Sequence, residues 1–281
     1  MKASASSHTS VDAEAMALAT VWLSATRMTN NRRPFAPLFR LSSSIATAVI
    51  AECTKHKEQN SQNADYQACV DIGTEYFVKH GVRRDLEPER ATQEFIFAHS
   101  NTPDAPRIAR IVHHFVDQRT MYLVMERIKL QESPPDLLAR AQKAVKWLLE
   151  LFKEFKAPFE FPVAEMLDRY MKKAYGLLSV TAWQKVSPVS VCGERLMFTQ
   201  SDMDDSNFGV DEHERTVLMD FSEIGLLPET FVAYTLSSDN NLGPIAASLG
   251  LSGNSNLVSM AAIAHCLGMV SDPKLGTSTC A

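Results

Sequence analysis

Short apolar runs in the first half of the chain predict β-strands. Residues 73–79 are rich in β-favouring side chains and predict one strand. Residues 111–116 and 121–128 form two apolar, β-branched runs, and the polar trio at 117–119 between them predicts an antiparallel hairpin. Between these strands, residues 86–99 have the apolar periodicity of a helix. The first half is therefore expected to combine a small antiparallel sheet with a helix.

Helical patterns dominate the second half. Apolar residues recur at steps of three and four from Leu137 to Phe155, which predicts one helix, and a second is expected over residues 163–175. The tail from Pro228 is predicted to be helical again. Its last helix is expected to place four apolar residues on one face, namely Leu257, Ala261, Ala264 and Leu267. At the other end of the chain, an Ala-rich helix is expected over residues 11–28.

One predicted hairpin interrupts the helical half. Its strands, 208–210 and 216–221, flank a polar turn at 212–215. A mostly β first half and a mostly helical second half predict a bilobal α+β protein rather than a parallel-sheet fold. The predicted organisation is an N-terminal helical extension (1–36), a sheet-containing lobe (37–128) and a helical lobe (129–281).

Composition supports a folded protein and excludes several classes of partner. The chain has 281 residues, of which 45% are hydrophobic and 22% are charged, as in average soluble domains. A net charge of -5 predicts no nucleic-acid partner, because phosphate neutralisation needs a basic surface. No apolar run approaches the roughly 18 residues of a membrane span, and the N-terminus lacks a signal-peptide pattern. With five scattered cysteines, expected to be reduced, the sequence predicts a cytoplasmic protein.

Glycine is scarce and unevenly distributed. There are 11 glycines in 281 residues, and none precedes Gly73. A glycine-rich phosphate-binding loop in the first quarter of the chain is therefore excluded. Residues 54–66, which are strongly polar, are predicted to form a surface loop.

The most informative stretch for function runs from Gln200 to Asp220. Phosphoryl transfer from a nucleotide needs a carboxylate beside the acceptor hydroxyl and two further oxygen ligands that hold Mg²⁺. Asp202 and Asn207 are close enough in sequence for one loop to aim both inward, and a tight hairpin would return Asp220 to the same place. The alternative is that all three are ordinary turn residues, since Asp, Asn and Ser are common in turns.

A lysine and a glutamate form a second candidate pair. Lys79 ends the predicted strand at 73–79, and its apolar neighbours would make it costly to bury without a carboxylate partner. Glu89 on the following helix can supply that carboxylate, whereas Glu94 lies on a different face of the helix. The alternative is a solvated lysine at a strand end.

In this order and spacing, these residues resemble the motifs of the aminoglycoside phosphotransferase-like family of kinase-fold enzymes, particularly its fungal members. The family's catalytic loop reads H-G-D-x-x-x-x-N and its metal site reads I-D-W/F. The resemblance implies that Asp202 is the catalytic residue and that Asn207 and Asp220 bind Mg²⁺. The segment FVKHG around Lys79 is similar to the V-K-Y-G strand, whose lysine holds the nucleotide phosphates and pairs with a helical glutamate, here Glu89.

A further segment, 122–128, is similar to the hinge that contacts adenine in this family. It reads YLVMERI here and Y-L-V-M-E-Y-I in the family. The resemblance implies nucleotide contacts through Met125, Glu126, Arg127 and Ile128, chiefly by backbone groups. It also implies a bilobal protein-kinase-like fold. The function that it implies is an ATP-dependent phosphotransferase that uses ATP and Mg²⁺ and phosphorylates a hydroxyl of a small molecule.

Several positions depart from the family pattern. Gln200 replaces the usual histidine, Ser201 replaces the glycine, and Ser222 stands where a glutamate is often found, with Glu223 one position later. The glycine-free segment 54–66 lies where the phosphate-covering loop is expected. These departures favour an alternative, which is a catalytically inactive kinase-fold protein that binds nucleotide or acts as a scaffold.

Acidic residues are frequent around Asp202. They are Asp204, Asp205, Asp211, Glu212, Glu214, Glu223 and Glu229. Such a cluster would attract a cationic acceptor, but a solvated acidic loop is the simpler interpretation.

Overall fold

The computed structural model describes residues 43–64, 66–132, 134–151, 163–200, 203, 205–222, 224–238, 242–267 and 269–270. By contacts the chain divides into two compact units. The first, which we call the sheet unit, contains the described residues of 43–140 and 206–222, and the second, the helical unit, contains those of 141–205 and 223–281. These segments do not coincide with the predicted lobes, which remain a prediction. The predicted extension at 1–36 lies outside the described residues.

The sheet unit is built on a four-stranded antiparallel sheet. Its strands, in the spatial order β1-β2-β5-β4, are β1 (Cys69–Ile72), β2 (Tyr76–Val82), β5 (Thr120–Glu126) and β4 (Ile111–Asp117). The predicted hairpin of β4 and β5 is confirmed, although β5 ends at Glu126 rather than at residue 128. The strand predicted from Gly73 begins only at Tyr76, because Gly73, with φ of +62°, opens the turn between β1 and β2.

Two helices accompany this sheet, α1 (Ser43–Asn60) and α2 (Arg83–His99). The loop predicted over residues 54–66 is therefore wrong in its first half, which is the end of α1. Val49 and Cys53, one helical turn apart, bury this helix against the sheet, and they pack with Val78 of β2. That anchor continues the helix through the polar residues that follow.

Helix α2 begins three residues earlier than predicted and supplies a partly polar buried face. The buried side chains follow helical spacing and are Leu86, Glu89, Thr92, Gln93 and Ile96. Leu86 packs against apolar residues of β4 and β5. This packing turns Glu89, on the same face, toward the sheet.

A second, three-stranded sheet completes the sheet unit. Its strands are β3 (Arg107–Ile108), β7 (Phe208–Val210) and β8 (Thr216–Leu218), in the order β3-β8-β7. The predicted β7–β8 hairpin is confirmed, but its second strand ends at Leu218 and not at Phe221. A short 3-10 turn, Asp205–Asn207, leads directly into β7.

The helical unit contains most of the second half of the chain. Its helices are α3 (Leu137–Leu151, from residue 141 onward), α4 (Val163–Gly176), α5 (Val180–Trp183), α6 (Glu229–Ser238), α7 (Gly243–Ser248) and α8 (Leu257–Leu267). Strands β6 (Leu196–Gln200) and β9 (Ile224–Pro228) pair antiparallel. The predicted end of α3, at Phe155, lies outside the described residues, whereas the helix expected over 163–175 is confirmed.

The predicted apolar face of α8 is partly wrong. Ala264 and Leu267 are buried as expected, but Ala261 is exposed and Leu257 is half-buried. Met260 and Ile263 are buried instead. Because nearly every residue of this helix is apolar, its periodicity does not identify the face that packs.

The α+β class is confirmed, with a small antiparallel sheet in the first half and mostly helices in the second. Every described helix is too short or too polar to cross a membrane.

Candidate active site

Three of the predicted site residues meet within the sheet unit. Lys79 Nζ lies 2.7 Å from Glu89 Oε1 and 3.1 Å from Asp220 Oδ1. Lys79 belongs to β2, Glu89 to the second turn of α2, and Asp220 follows β8. The prediction that Glu89 rather than Glu94 pairs with Lys79 is confirmed by this contact. Glu94 instead binds Arg90 Nη1 at 2.6 Å.

Strand alternation explains why Lys79 reaches these carboxylates. Val78, the preceding residue, is buried against α1, and successive side chains of a strand point to opposite faces. Lys79 therefore faces away from α1, on the side where Glu89 is presented. Its side chain is 28% exposed, whereas that of Glu89 is only 3% exposed.

The electrostatics of the cluster keep Lys79 charged. Burial by itself would lower the pKa of Lys79, but the Glu89 and Asp220 carboxylates outweigh this effect and raise the pKa above its ordinary value. For Glu89, burial raises the pKa, against the opposing effect of the Lys79 ammonium. The cluster is therefore a cation held by one deeply buried carboxylate and one more accessible carboxylate.

Asp220 has an unusual backbone conformation that its neighbours support. Its φ is 55°, in the left-handed region, which Asp and Asn tolerate better than most residues. The backbone N–H of Ser222 donates to Asp220 Oδ1 at 3.2 Å, and the Ser222 hydroxyl donates to the same oxygen at 2.8 Å. Although burial opposes it, Lys79 and these two donors lower the pKa of Asp220.

Asn207 lies at the same end of the β7–β8 hairpin as Asp220. The ladder pairs Phe208 with Leu218, and beyond it the Met219 N–H donates to the Asn207 carbonyl at 2.9 Å. Asn207 therefore lies just before β7, and Asp220 lies two residues after β8, at the open end of one hairpin. The hairpin returns the chain before Asp220 to Asn207, as expected, whereas the expected proximity of Asp220 to Asp202 lies outside the described residues.

The predicted hinge leaves the sheet at the end of β5. Met125 is buried, the Glu126 N–H donates to the Arg110 carbonyl at 3.0 Å, and the Arg127 N–H donates to the Glu75 carbonyl at 2.8 Å. Among the described residues, no backbone carbonyl accepts a hydrogen bond from the Ile128 N–H.

Comparison with known proteins adds a likeness at the level of the fold. No family model and no curated protein matches the sequence. Solved structures do match. The chain is similar in fold to aminoglycoside phosphotransferases. One such structure is a GDP complex of wild-type aminoglycoside 2'-phosphotransferase-IIIa, with a TM-score of 0.47, 10% identity, and coverage of 77% of this chain and 87% of that chain.

Two further aminoglycoside phosphotransferases match over similar lengths. The enzyme APH(3'')-Id from Streptomyces rimosus, in complex with ADP and streptomycin, has a TM-score of 0.46 and 14% identity, over 79% of this chain and 97% of that chain. The enzyme from Alicyclobacillus acidocaldarius has a TM-score of 0.42 and 13% identity, over 88% and 91%. At these low identities and TM-scores the likeness carries no argument about activity or substrate, and the fungal affinity suggested by the motifs stays a prediction.

The catalytic loop of the aminoglycoside phosphotransferase-like motif set is only partly described. Asp202, predicted to be the catalytic residue, lies outside the described residues, as do Ser201 and Glu223. Gln200, in the position of the family's histidine, is a buried residue at the end of β6, where it pairs with Ile224 of β9. The role of Asp202 therefore remains a prediction.

The donor set at the open end of the β7–β8 hairpin fits Mg²⁺. Among the described residues, no three His, Cys, Asp or Glu side chains are grouped so that they could hold a metal ion. Mg²⁺ does not require such a group, because it usually takes one or two protein oxygens together with waters and substrate phosphates. The Asp220 carboxylate and the Asn207 amide supply hard oxygen donors of this kind.

Sequence reasoning missed one buried carboxylate that organises the hairpin. Asp211 is fully buried and is paired with Arg107 and Arg215. The interpretation of the acidic cluster as a solvated loop is therefore wrong for this residue. A signal existed in the spacing of Asp211 and Arg215 on either side of the turn, but the sequence gives no indication of Arg107. Glu214 is likewise partly neutralised, by Arg140 at 3.1 Å.

Proposed function

We propose that this protein is an ATP-dependent phosphotransferase that phosphorylates a hydroxyl of a small molecule. The observation that carries the proposal is the convergence of Lys79, Glu89 and Asp220, which come from β2, α2 and the segment after β8. A lysine held by a helical glutamate, beside an aspartate that can bind a metal ion, is the arrangement that protein kinases use to hold the nucleotide phosphates and Mg²⁺.

In this proposal Lys79 contacts the phosphates of ATP. Glu89 is almost completely buried and fixes the ammonium from one side, so the lysine is oriented before the nucleotide arrives. Preorganised positive charge is effective because little reorganisation is needed as charge develops on the transferred group. Asp220 also contacts Lys79, and its exposed position leaves it accessible to a metal ion.

Asn207 and Asp220 are the proposed ligands of Mg²⁺, which when bound would neutralise charge on the phosphates. The Ser222 donors and the left-handed backbone of Asp220 hold the carboxylate in one orientation. Asp202 is the proposed catalytic residue, which orients or deprotonates the acceptor hydroxyl, and this role rests on the motif alone.

The hinge is proposed to hold adenine through backbone groups. The amides of Glu126 and Arg127 already donate within the protein, so the Ile128 amide is the donor that we assign to the base. The side chain of Met125 is buried in the sheet and would form an apolar wall. Both assignments agree with a hinge that selects adenine by main-chain hydrogen bonding.

Thermal stability with and without ATP and Mg²⁺ tests the proposal. We expect a rise in the melting temperature, since a ligand that binds only the folded state stabilises it. Asp220→Asn should abolish the part of the rise that depends on Mg²⁺. Asn is preferred to Ala here because the φ of 55° at this position suits Asn.

The matched control is Asp104→Ala, in an exposed turn after α2, which should leave the rise unchanged. No stabilisation of the wild-type protein at millimolar nucleotide would refute the proposed function.

A second candidate is a kinase-fold protein that binds nucleotide without transferring phosphate. The specific observation that favours it is α1, whose residues 54–60 occupy the first half of the segment where a phosphate-covering loop is expected. The replacement of the motif histidine by Gln200 points the same way. Consumption of ATP with a library of hydroxylated metabolites separates the candidates. If the wild-type protein consumes ATP and Asp202→Ala does not, the protein is an enzyme. If the wild-type protein binds ATP but does not consume it, the second candidate is supported.

A further inference from the structure

A chain of charged side chains joins the hinge to the β7–β8 hairpin. Arg107 Nη1 donates to Asp211 Oδ2 at 2.8 Å, and Arg107 Nη2 lies 3.5 Å from Glu126 Oε1. Asp211 belongs to the hairpin, and Glu126 is the last residue of β5. One guanidinium therefore contacts carboxylates from two segments that carry different parts of the proposed nucleotide site.

The turn of the hairpin is folded around the Asp211 carboxylate. Oδ1 accepts the backbone N–H groups of His213 and Arg215, both at 2.9 Å, and Oδ2 accepts Arg215 Nε at 2.9 Å as well as Arg107. A fully buried carboxylate with four donors is strongly fixed in place. Because these bonds fix the Asp211 carboxylate within the hairpin, the contact between Arg107 and Asp211 positions the whole hairpin.

The backbone brings the same segments together. Strand β3 runs parallel to β8 and pairs Arg107 with Val217. The Gln131 N–H donates to the Val210 carbonyl at 2.8 Å, so the chain just after the hinge also lies along β7. Strand β3 also pairs Ile108 with Leu218, so it lies along β8 up to the open end, whereas the hinge segment contacts the hairpin at Val210. The open end carries Asn207 and Asp220.

We infer that Arg107 is a positioning residue, which fixes the β7–β8 hairpin relative to the hinge and thereby sets the places of Asn207 and Asp220. Its planar fork can bind two carboxylates at once, which a lysine cannot do with the same geometry. Arg107 itself does not contact the proposed metal ligands. The consequence for metal binding rests on the proposed function, but the positioning can be measured without it.

The chain offers a matched control in Arg215. Both arginines bind Asp211 Oδ2, at 2.8 Å for Arg107 and 2.9 Å for Arg215. Only Arg107 also approaches Glu126. Arg215→Ala therefore removes one cation from Asp211 and keeps the side-chain link to Glu126, whereas Arg107→Ala removes one cation and breaks that side-chain link.

The first measurement is the Mg²⁺ concentration that gives half-maximal ATP binding, with metal-free ADP binding measured in parallel. We expect Arg107→Ala to raise the Mg²⁺ requirement roughly three- to tenfold, below the 10–100-fold typical of residues that contact metal ligands directly. Metal-free ADP binding should stay within about twofold of wild type, because the hinge amides are retained. Arg215→Ala should change neither quantity by more than about twofold.

An equal rise in the Mg²⁺ requirement in Arg107→Ala and Arg215→Ala would overturn the inference. It would mean that the neutralisation of Asp211, and not the contact with Glu126, determines metal binding. An unchanged Mg²⁺ requirement in Arg107→Ala would overturn it as well. If Arg107→Ala does not fold, Arg107→Lys makes the same comparison, because it keeps one positive charge and loses the fork.

The second measurement is amide hydrogen exchange, which needs no nucleotide. Arg107→Ala is expected to lower the protection of Leu218 and Met219 in the hairpin and of Glu126 in the hinge. Arg215→Ala should lower protection only around the turn, at residues 213–215. Losses confined to the turn in both variants would contradict the inference. If the wild-type protein binds no nucleotide, the proposed function fails, and hydrogen exchange still decides the role of Arg107.

Discussion

Lys79 and Glu89 form a salt bridge of 2.7 Å in which the carboxylate is far more buried than the ammonium. The pair joins the central strand β2 to helix α2. Its asymmetry matters, because removal of the lysine leaves a buried negative charge, whereas removal of the glutamate leaves a lysine that still has Asp220 and solvent. The two residues are therefore not equivalent for stability.

The first prediction concerns the stability of this pair. Lys79→Met should lower the free energy of unfolding by about 3 kcal/mol, because breaking one side of a buried ion pair leaves an uncompensated charge. Lys79→Met combined with Glu89→Leu should recover most of that loss, since the buried charge is gone. Urea denaturation measures both. The control is Arg84→Met, because Arg84 is exposed and lies on α2, as Glu89 does. A double variant that is no more stable than Lys79→Met would contradict this account.

The second prediction concerns Ser222, whose hydroxyl donates to Asp220 Oδ1. Ser222→Ala should raise the Mg²⁺ concentration for half-maximal ATP binding by up to about tenfold, because the carboxylate loses one of its orienting donors. Ser222→Thr keeps the hydroxyl and should bind as wild type does. Ser222 is exposed, so both variants should fold normally. A Thr variant as weak as the Ala variant would show that the hydroxyl does not orient Asp220.

The sequence allowed the Lys79–Glu89 pair and both hairpins to be predicted for local reasons. A lysine among apolar strand residues needs a carboxylate, and helical spacing favours Glu89 over Glu94. The hairpins follow from apolar runs separated by polar turns. Strand ends were less predictable, because Tyr76 and Glu126 mark where pairing with neighbouring strands begins and stops.

Other features depended on contacts that sequence patterns do not contain. Residues 54–60 look like a loop if polarity is weighed alone, yet they continue a helix that Val49 and Cys53 anchor to the sheet. Asp211 resembles any turn aspartate, and its partner Arg107 is 104 positions away. A long-range pair of this kind leaves no periodicity in a single sequence.

The third prediction is a dependence of stability on acid pH that arises from Asp211. Although burial opposes it, hydrogen bonds from Arg107 and from the turn lower the pKa of Asp211 from its usual 3.8 to about 2. A carboxyl whose pKa is lower in the folded state stabilises the fold above its unfolded pKa, and this contribution is lost as the pH falls through the folded pKa. The contribution should therefore be complete above about pH 5 and should decline between about pH 4 and pH 2.

The contribution of Asp211 to the free energy of unfolding is on the order of 2 kcal/mol. Urea unfolding of the wild type and of Asp211→Asn from pH 6 to pH 2 measures it. The difference between the two proteins should be constant near neutrality and should shrink toward pH 2. A difference that does not change with pH would mean that the Asp211 pKa is not lowered.

The fourth prediction concerns the close approach of Gly209 to Leu130, which follows the hinge. A Cβ added at Gly209 would lie 2.8 Å from Leu130 Cδ2 and 3.1 Å from its Cδ1. Gly209→Ala should therefore destabilise the protein by about 1 kcal/mol, at the low end for overpacking, because the end of a half-exposed leucine can move. In the double variant with Leu130→Ala this cost should disappear, since the clashing atoms are absent. A double-mutant cycle by urea denaturation measures the coupling, and additive effects would show that the hairpin and the hinge segment are not packed together at this point.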